Sequence, residues 1–415
     1  MNILYWLRSD LRLHDNPALL NFAASATHGL VLWCPSRSQR RAEAFRRSFI
    51  WASVASVAAD LQKLGADVHI EERDIRDVLP ELLDLQQFEL IVFNEEIGTE
   101  ERSDEAWVRS LGIPCDTFEA GNLLGKNDLP FPINHVPEVF TQFRKKVEEN
   151  LSVAAPLSPP TSLARARSRQ KVTGLSFEAI ARLVTHRHPL IDAGEDLGLR
   201  RLQNYIWTFD RLHVYKLTRD GLIDWNDSSK LSPWLSVGAL SPRTIYAEIR
   251  RYENERIKNE STYWLLFELL WRDYFRWLGL KWGSRLFTGM KAKAERNEVE
   301  DSPNFKAWKA GRTGQSFIDA HMHELAVTGW MSNRGRQNVA NYLVKTLDVD
   351  WRLGAAYFEE HLIDYDATSN WGNWAYQAGT GQDPRDRRFN PAHQASIYDP
   401  EGRYQSLWNP MGVKE

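Results

Sequence analysis

The stretch "LSVAAPLSPPTSLARARSRQKVTG", residues 151–174, separates two kinds of sequence. It is rich in Pro, Ser and Arg and carries neither the two-residue apolar period of a strand nor the 3.6-residue period of a helix, so it reads as a linker draped between domains. Upstream lie five short apolar runs, "NILYWLR" (2–8), "LVLWC" (30–34), "DVHIE" (67–71), "ELIVFN" (89–94) and "IPCDTF" (113–118). Helix-like segments such as 42–64 lie between them. Strand and helix alternating in this way predict a parallel, doubly wound five-stranded α/β domain with right-handed crossovers. Downstream, apolar residues recur at three and four positions, as in "TYWLLFELLWRDYFRWLGLKW" (262–282) and "NVANYLVKTL" (338–347), which predicts an all-α domain. The expected organisation is therefore an α/β domain at 1–130, a linker with one helix at 131–175 and a helical domain at 176–415.

Composition limits the function classes. The chain has 415 residues, 43% apolar and 26% charged, as in an ordinary soluble protein, and no apolar run is long enough to suggest a membrane span. "MNILYWLRSD" lacks the layout of a signal peptide, which makes a cytoplasmic location the expectation. Cys34 and Cys115 are the only cysteines, too few for a disulfide framework or a thiolate metal cluster. No G-x-G-x-x-G follows the first strand, and "GKND" (125–128) lacks the rest of a P-loop, so a dinucleotide held in the usual way is not expected in the first domain.

Charge and tryptophan divide the chain unevenly. Residues 1–150 carry 16 Lys and Arg against 24 Asp and Glu, and the remainder 36 against 31. A modest basic excess in the second part suits an anionic partner such as nucleic acid, although a solvated surface with no partner is the commoner cause of so small an excess. Thirteen of the seventeen tryptophans lie between Trp207 and Trp408, so the helical part is where planar groups would be held.

Helical spacing brings polar groups together there. In "FELLWRDYF" it places Glu268, Trp271, Arg272 and Phe275 on one face; the plain alternative is a core indole with a Glu268–Arg272 pair at i,i+4. In "MSNRGRQNV" it groups Asn333, Arg336 and Gln337, which also suits a solvated helix start. "LIDYDATSNWGNWAY" supplies Asp364 and Asp366, too close to share a helical face, then Asn370 and Trp374 at i,i+4. His321 and His323 in "HMHE" are spaced wrongly for a shared metal and read as structural, so no metal site is expected. Spacing takes the reading as far as a pocket for a planar cofactor or a base.

The sequence resembles the photolyase/cryptochrome family, in its cryptochrome-DASH branch. The resemblance covers nearly the whole chain: "LRSDLRLHDNPAL", "DLPFPINHVPEVFTQFRKKVE", "KLSPWLSVGALSPR", "FELLWRDYFR", "TGWMSNRGRQNVA", "DWRLGAAYFEEHLIDYDATSNWGNW" and "RRFNPAHQASIYDPEG", in that order. It implies a Rossmann-like N-terminal domain and a helical domain that binds FAD non-covalently in a U-shaped conformation. By the same resemblance Tyr215, Ser228, Ser229, Leu231 and Ser232 match contacts to the FAD phosphates and ribityl chain. Arg336 and Asp364 match an ion pair beside the isoalloxazine, Asp366 a carboxylate at its polar edge, and Asn370 the residue facing flavin N5, with Arg272 and Asn333 as further cofactor contacts.

The implied activity is that of a deoxyribodipyrimidine photolyase, the light-driven repair of cyclobutane pyrimidine dimers in DNA. Glu268, Trp271 and Asn333 match residues that hold the lesion, and Gln337 and Tyr376 match the DASH pattern of preference for single-stranded DNA. The alternative within the family is a photoreceptor with little repair activity. A relay of three tryptophans reduces the flavin in relatives; Trp374 and Trp351 match the inner two. The outer position falls at Glu298, which leaves Trp308 as the leading substitute. Many relatives also hold a methenyltetrahydrofolate antenna, which a carboxylate matching Glu101 contacts. A monomer is expected.

Overall fold

The structure is a computed structural model that describes residues 1–167, 174–289, 302–379 and 388–409. Five strands, β1 (Asn2–Leu7), β2 (His28–Trp33), β3 (Asp67–Ile70), β4 (Leu90–Asn94) and β5 (Cys115–Phe118), form one parallel sheet in the order β3-β2-β1-β4-β5. Leu4 of β1 stands between Leu30 of β2 and Ile91 of β4. These side chains and Trp6 face one apolar cluster, while Ile3, Tyr5, Leu7, Val31 and Val92 face the other. Both faces are thus covered, which is why these strands read in sequence as unbroken apolar runs.

Helices Pro17–Ser25, Ala44–Lys63, Ile75–Leu85 and Thr99–Ser110 make the crossovers. Strand order reverses between β1 and β4, so the chain segments leaving those strands diverge and open a crevice. A buried carboxylate holds the crevice in shape: Asp10 accepts from Tyr5 Oη (2.6 Å), Asn94 Nδ2 (2.6 Å) and the Arg8 amide (2.7 Å).

Within the stretch expected to be linker, Phe140–Glu148 forms a helix whose Phe140 and Phe143 are buried. From residue 175 on, the named elements are all helical, and the longest is Glu260–Trp282. Asn259 starts it by accepting from the amides of Ser261 (2.9 Å) and Thr262 (3.0 Å), and Gly283 at φ +53° ends it. At 23 residues it runs about 34 Å, from the surface to the floor of the α/β domain.

The two domains interlock through charged groups that satisfy backbone. Arg12 donates to the carbonyls of Gly238, Asp15 and Ala120, each at 2.8 Å. Asp15 pairs with Arg243 (2.6 Å), and Glu195 accepts from the amides of Leu13 (2.7 Å) and His14 (2.9 Å). From the helical side, fully buried Asp273 accepts from the amides of Leu123 (2.9 Å) and Leu124 (3.0 Å). Burial pushes its carboxyl up to about 6 against those bonds. Gly238 sits at φ +68°, and a Cβ there would come within 1.9 Å of the Ser9 carbonyl oxygen, so only glycine allows this approach. Among the described residues no helix is long and apolar enough to cross a membrane.

Candidate active site

The loop "SSKLS" is shaped from behind by Arg201, a residue that nothing in the sequence singled out. Its guanidinium donates to the carbonyls of Ser229 (2.9 Å) and Ser228 (3.0 Å) and to Asn226 Oδ1 (2.8 Å). With those carbonyls turned back and Lys230 in the left-handed region at φ 55°, the amides of Ser228, Ser229 and Leu231 face away and donate to no acceptor among the described residues. Several unpaired amides on one loop form an anion cradle, suited to a pyrophosphate. Ser232 follows at the start of a short helix, and Tyr215 is buried nearby against Tyr205. The Lys230 ammonium lies over Trp225 (5.5 Å) and Trp330 (5.3 Å), and burial lowers its pKa to about 8.

A second group of charges lies where helix Asn333–Lys345 meets the turn ahead of helix Ala367–Ala378. Arg336 Nη2 donates to both oxygens of Asp364 at 2.9 Å, while its Nε donates to the Met331 carbonyl. Asp366 caps the second helix through the Ser369 amide (2.9 Å) and faces Arg276 (3.2 Å) and Arg272 (3.8 Å). Burial alone would raise its carboxyl, but Arg276 and Arg272 outweigh it and hold Asp366 well below the usual carboxylate range. Asn370, one turn further on, donates from Nδ2 to the Ala355 carbonyl (2.9 Å), which leaves Oδ1 as an acceptor at the free end of a neutral amide.

The face of helix Glu260–Trp282 holds Glu268 and Trp271 one turn apart. The i,i+4 pair that spacing allowed does not form. Glu268 instead pairs with Arg219 at 2.8 Å, and Arg272 turns inward to the carbonyls of Gly121 (2.5 Å) and Leu235 (3.4 Å). Burial raises the Glu268 carboxyl even against Arg219. Trp271 stacks on Phe140 with centroids 3.7 Å apart and planes 13° from parallel, so the linker helix covers one face of the indole. Asn333 is exposed; Gln337 and Tyr376 are half-buried, with Gln337 Oε1 held by Arg334 at 2.8 Å.

Trp374 is buried beside Phe358 (5.1 Å) and Trp308 (6.2 Å), and Trp351 lies against Trp371 (5.8 Å). Trp308, named as the substitute for the outer relay position, lies in the interior beside Trp374. That ring is fully buried, its indole N–H donates to the Val339 carbonyl at 3.0 Å, and it lies edge-on to half-buried Tyr357 at 5.6 Å. Glu298 lies outside the described residues. His321 bonds Tyr404 Oη (2.6 Å) and His323 the Trp408 carbonyl (3.0 Å), so both serve packing of the C-terminal segment.

Two cavities lie between the domains. One, of about 80 Å³, runs from the crevice between β1 and β4 to Arg272, Arg276 and Asp366, and Glu101 lines it. Burial and the neighbouring Glu96 push the Glu101 carboxyl up to about 7. The other, about 460 Å³, is lined by Glu105, Arg102, Lys126, Trp277 and Leu280 among others.

Comparison with known proteins decides what this arrangement belongs to. Residues 264–413 match the model of the FAD-binding domain of DNA photolyase, and residues 3–161 that of DNA photolyase. The chain is 40% identical to cryptochrome DASH of Gloeobacter violaceus, covering 98% of this chain and 85% of that protein. It is 41% identical to cryptochrome DASH of Danio rerio, covering 99% and 84%. The chain belongs to the photolyase/cryptochrome family, in its cryptochrome-DASH branch. The crystal structure of Synechocystis cryptochrome superposes with a TM-score of 0.91 at 38% identity, over 99% of this chain and 88% of that one. As a flavoprotein of the photolyase/cryptochrome family it takes FAD, and the unpaired amides of "SSKLS" and the free Oδ1 of Asn370 fit that cofactor's phosphates and ring edge.

Proposed function

We propose that this protein is a deoxyribodipyrimidine photolyase of the DASH type, acting on cyclobutane pyrimidine dimers in single-stranded DNA. FAD, once reduced, supplies a light-excited electron that splits the dimer and then returns. The chain's own residues bind, orient and dry the lesion. The observation that carries this reading is the placing of Glu268 beside Trp271: a buried carboxyl held by Arg219, placed to hydrogen-bond a pyrimidine edge, one turn from an indole against which a base can stack.

Strand preference is supported by how little open stacking surface the pocket offers. Phe140 covers one face of Trp271, and Arg334 ties down Gln337 at the rim, so a lesion gains less here than opening a duplex requires, and unpaired DNA is the favoured substrate. Glu101, facing the interdomain cavity, supports a methenyltetrahydrofolate antenna there. Tyr215, Ser232, Asn333 and Tyr376 complete the proposed cofactor and lesion contacts, in a monomeric, cytoplasmic protein.

The test is blue-light repair of a thymine-dimer oligonucleotide by chemically reduced protein, single-stranded against duplex. Faster loss of the dimer in the single strand is expected. Repair of neither would overturn the proposal and return the chain to the photoreceptor reading, while equal rates would remove the strand preference.

A further inference from the structure

Trp371 lies one turn before Trp374 on helix Ala367–Ala378, half-buried, with its ring edge-on to Trp351 at 5.8 Å and to Phe287 at 5.1 Å. Its indole N–H donates to Glu359 Oε2 and to Tyr365 Oη, both at 3.2 Å. Of Trp308, Trp351, Trp371 and Trp374, it is the only one whose N–H meets a carboxylate among the described residues; that of Trp308 meets a carbonyl, which cannot take a proton.

Glu359 is placed, and ionised, to accept that proton. Burial alone would raise its carboxyl, but Arg41 at 2.5 Å, reaching across from the α/β domain, and Arg46 hold it below the ordinary value and so ionised. Tyr365 Oη donates to the same oxygen at 2.9 Å, under the Arg46 guanidinium at 4.4 Å. Arg41 also donates to Glu100 at the surface through bonds of 3.0 and 2.9 Å, which fixes its guanidinium against Glu359.

An indole that has lost one electron is a far stronger acid at its N–H than a neutral indole. A carboxylate already hydrogen-bonded to that N–H takes the proton without rearrangement, and the neutral radical left behind no longer recombines by electron return alone. We propose that Trp371 is the terminal electron donor of this chain's photoreduction relay and that Glu359 is the base that captures its indole proton. The oxidant is light-excited, oxidised flavin. One electron leaves the Trp371 ring to refill Trp374 or Trp351, the N–H bond breaks with its electron pair left on nitrogen, the proton goes to Glu359, and an external thiol later returns the electron. The proposal rests on FAD binding and not on the DNA reading. It assigns a role to a ring that motif matching left without one.

The experiment is flash photolysis of FAD-loaded protein, recording the lifetime of the tryptophan radical, alongside steady blue-light bleaching of flavin with a thiol present. Trp371→Phe should lose most of the long-lived radical and most of the bleaching, and Trp371→Tyr, which keeps an oxidisable ring, should restore part of both. Glu359→Gln still accepts a hydrogen bond but is no base, so its radical should keep the spectrum of the protonated cation and decay early. A wild-type radical yield and lifetime in Trp371→Phe would overturn the proposal; if that variant loads no FAD, the tyrosine and Glu359→Gln variants decide. Wild-type protein that shows the radical yet repairs no dimer after chemical reduction would sink the DNA reading and leave this one standing.

Discussion

Asp366 and Glu268 are both buried carboxylic acids of the helical domain, yet their surroundings drive them in opposite directions. Asp366 faces two guanidiniums, a serine amide and the Thr368 hydroxyl, and is held as an anion. Glu268 has one arginine partner and aromatic walls, and burial prevails. The proposed flavin edge is thus a region of fixed, neutralised charge, and the proposed lesion face one where burial favours the protonated carboxyl. On the proposed reading, the number of cations per carboxylate distinguishes the cofactor-holding acid from the substrate-facing one.

The largest effect should follow from breaking the fixed side. Asp364→Ala leaves Arg336 without its partner, and removing one member of a buried pair costs about 3 kcal/mol or more. The denaturation midpoint of the apoprotein should fall and FAD should be lost on purification; an unchanged midpoint would mean that the pair adds nothing to the fold. Trp271→Ala comes next. Removing a stacking ring should weaken binding of a dimer-containing oligonucleotide by about 2 kcal/mol while FAD content persists, and unchanged affinity would show that the lesion stacks elsewhere.

The smallest effect, and the sharpest on the comparison, is in pH. Glu268 holds its proton more tightly in the folded chain than in the unfolded one, so between the ordinary carboxylate value and its raised value folding stability declines as pH rises. Lesion binding that needs the protonated form declines with it. Asp366 holds its proton less tightly; its contribution is complete above the ordinary value and is lost as pH falls through its lowered one. Glu268→Gln should flatten the alkaline side of the binding profile while leaving the acid side in place. A profile that keeps its alkaline slope would assign that titration to another group.

Much of this was legible in the sequence. β1 and β4 stood out because burial on both faces leaves no polar residue to break the run, and Glu268 and Trp271 because i,i+3 spacing is a property of the helix itself. What was not legible involves contacts between segments far apart in the chain. Arg201 shapes a loop 28 residues away, and Phe140 reaches Trp271 from another domain's linker; neither position carries a local period that marks it. Trp308 was named for its short distance along the chain from Glu298, but its burial is set by helices that sequence spacing does not position. The pairing of Trp371 with Glu359 lies between these cases, since both residues sit in one quoted motif, yet the contact exists only because two helices fold back on each other.

The approach of Gly238 to Ser9 fixes more than a backbone angle. Gly238 follows the flavin-phosphate loop by a few residues, Ser9 follows the first strand, and Arg12 bonds across the same seam. A pigment in the crevice between β1 and β4 and a flavin against Asp366 would be held by parts of a single frame with no hinge between them. Light energy passing between two pigments depends steeply on their separation and mutual angle, and were an antenna bound in that crevice, this seam would be the spacer that sets both.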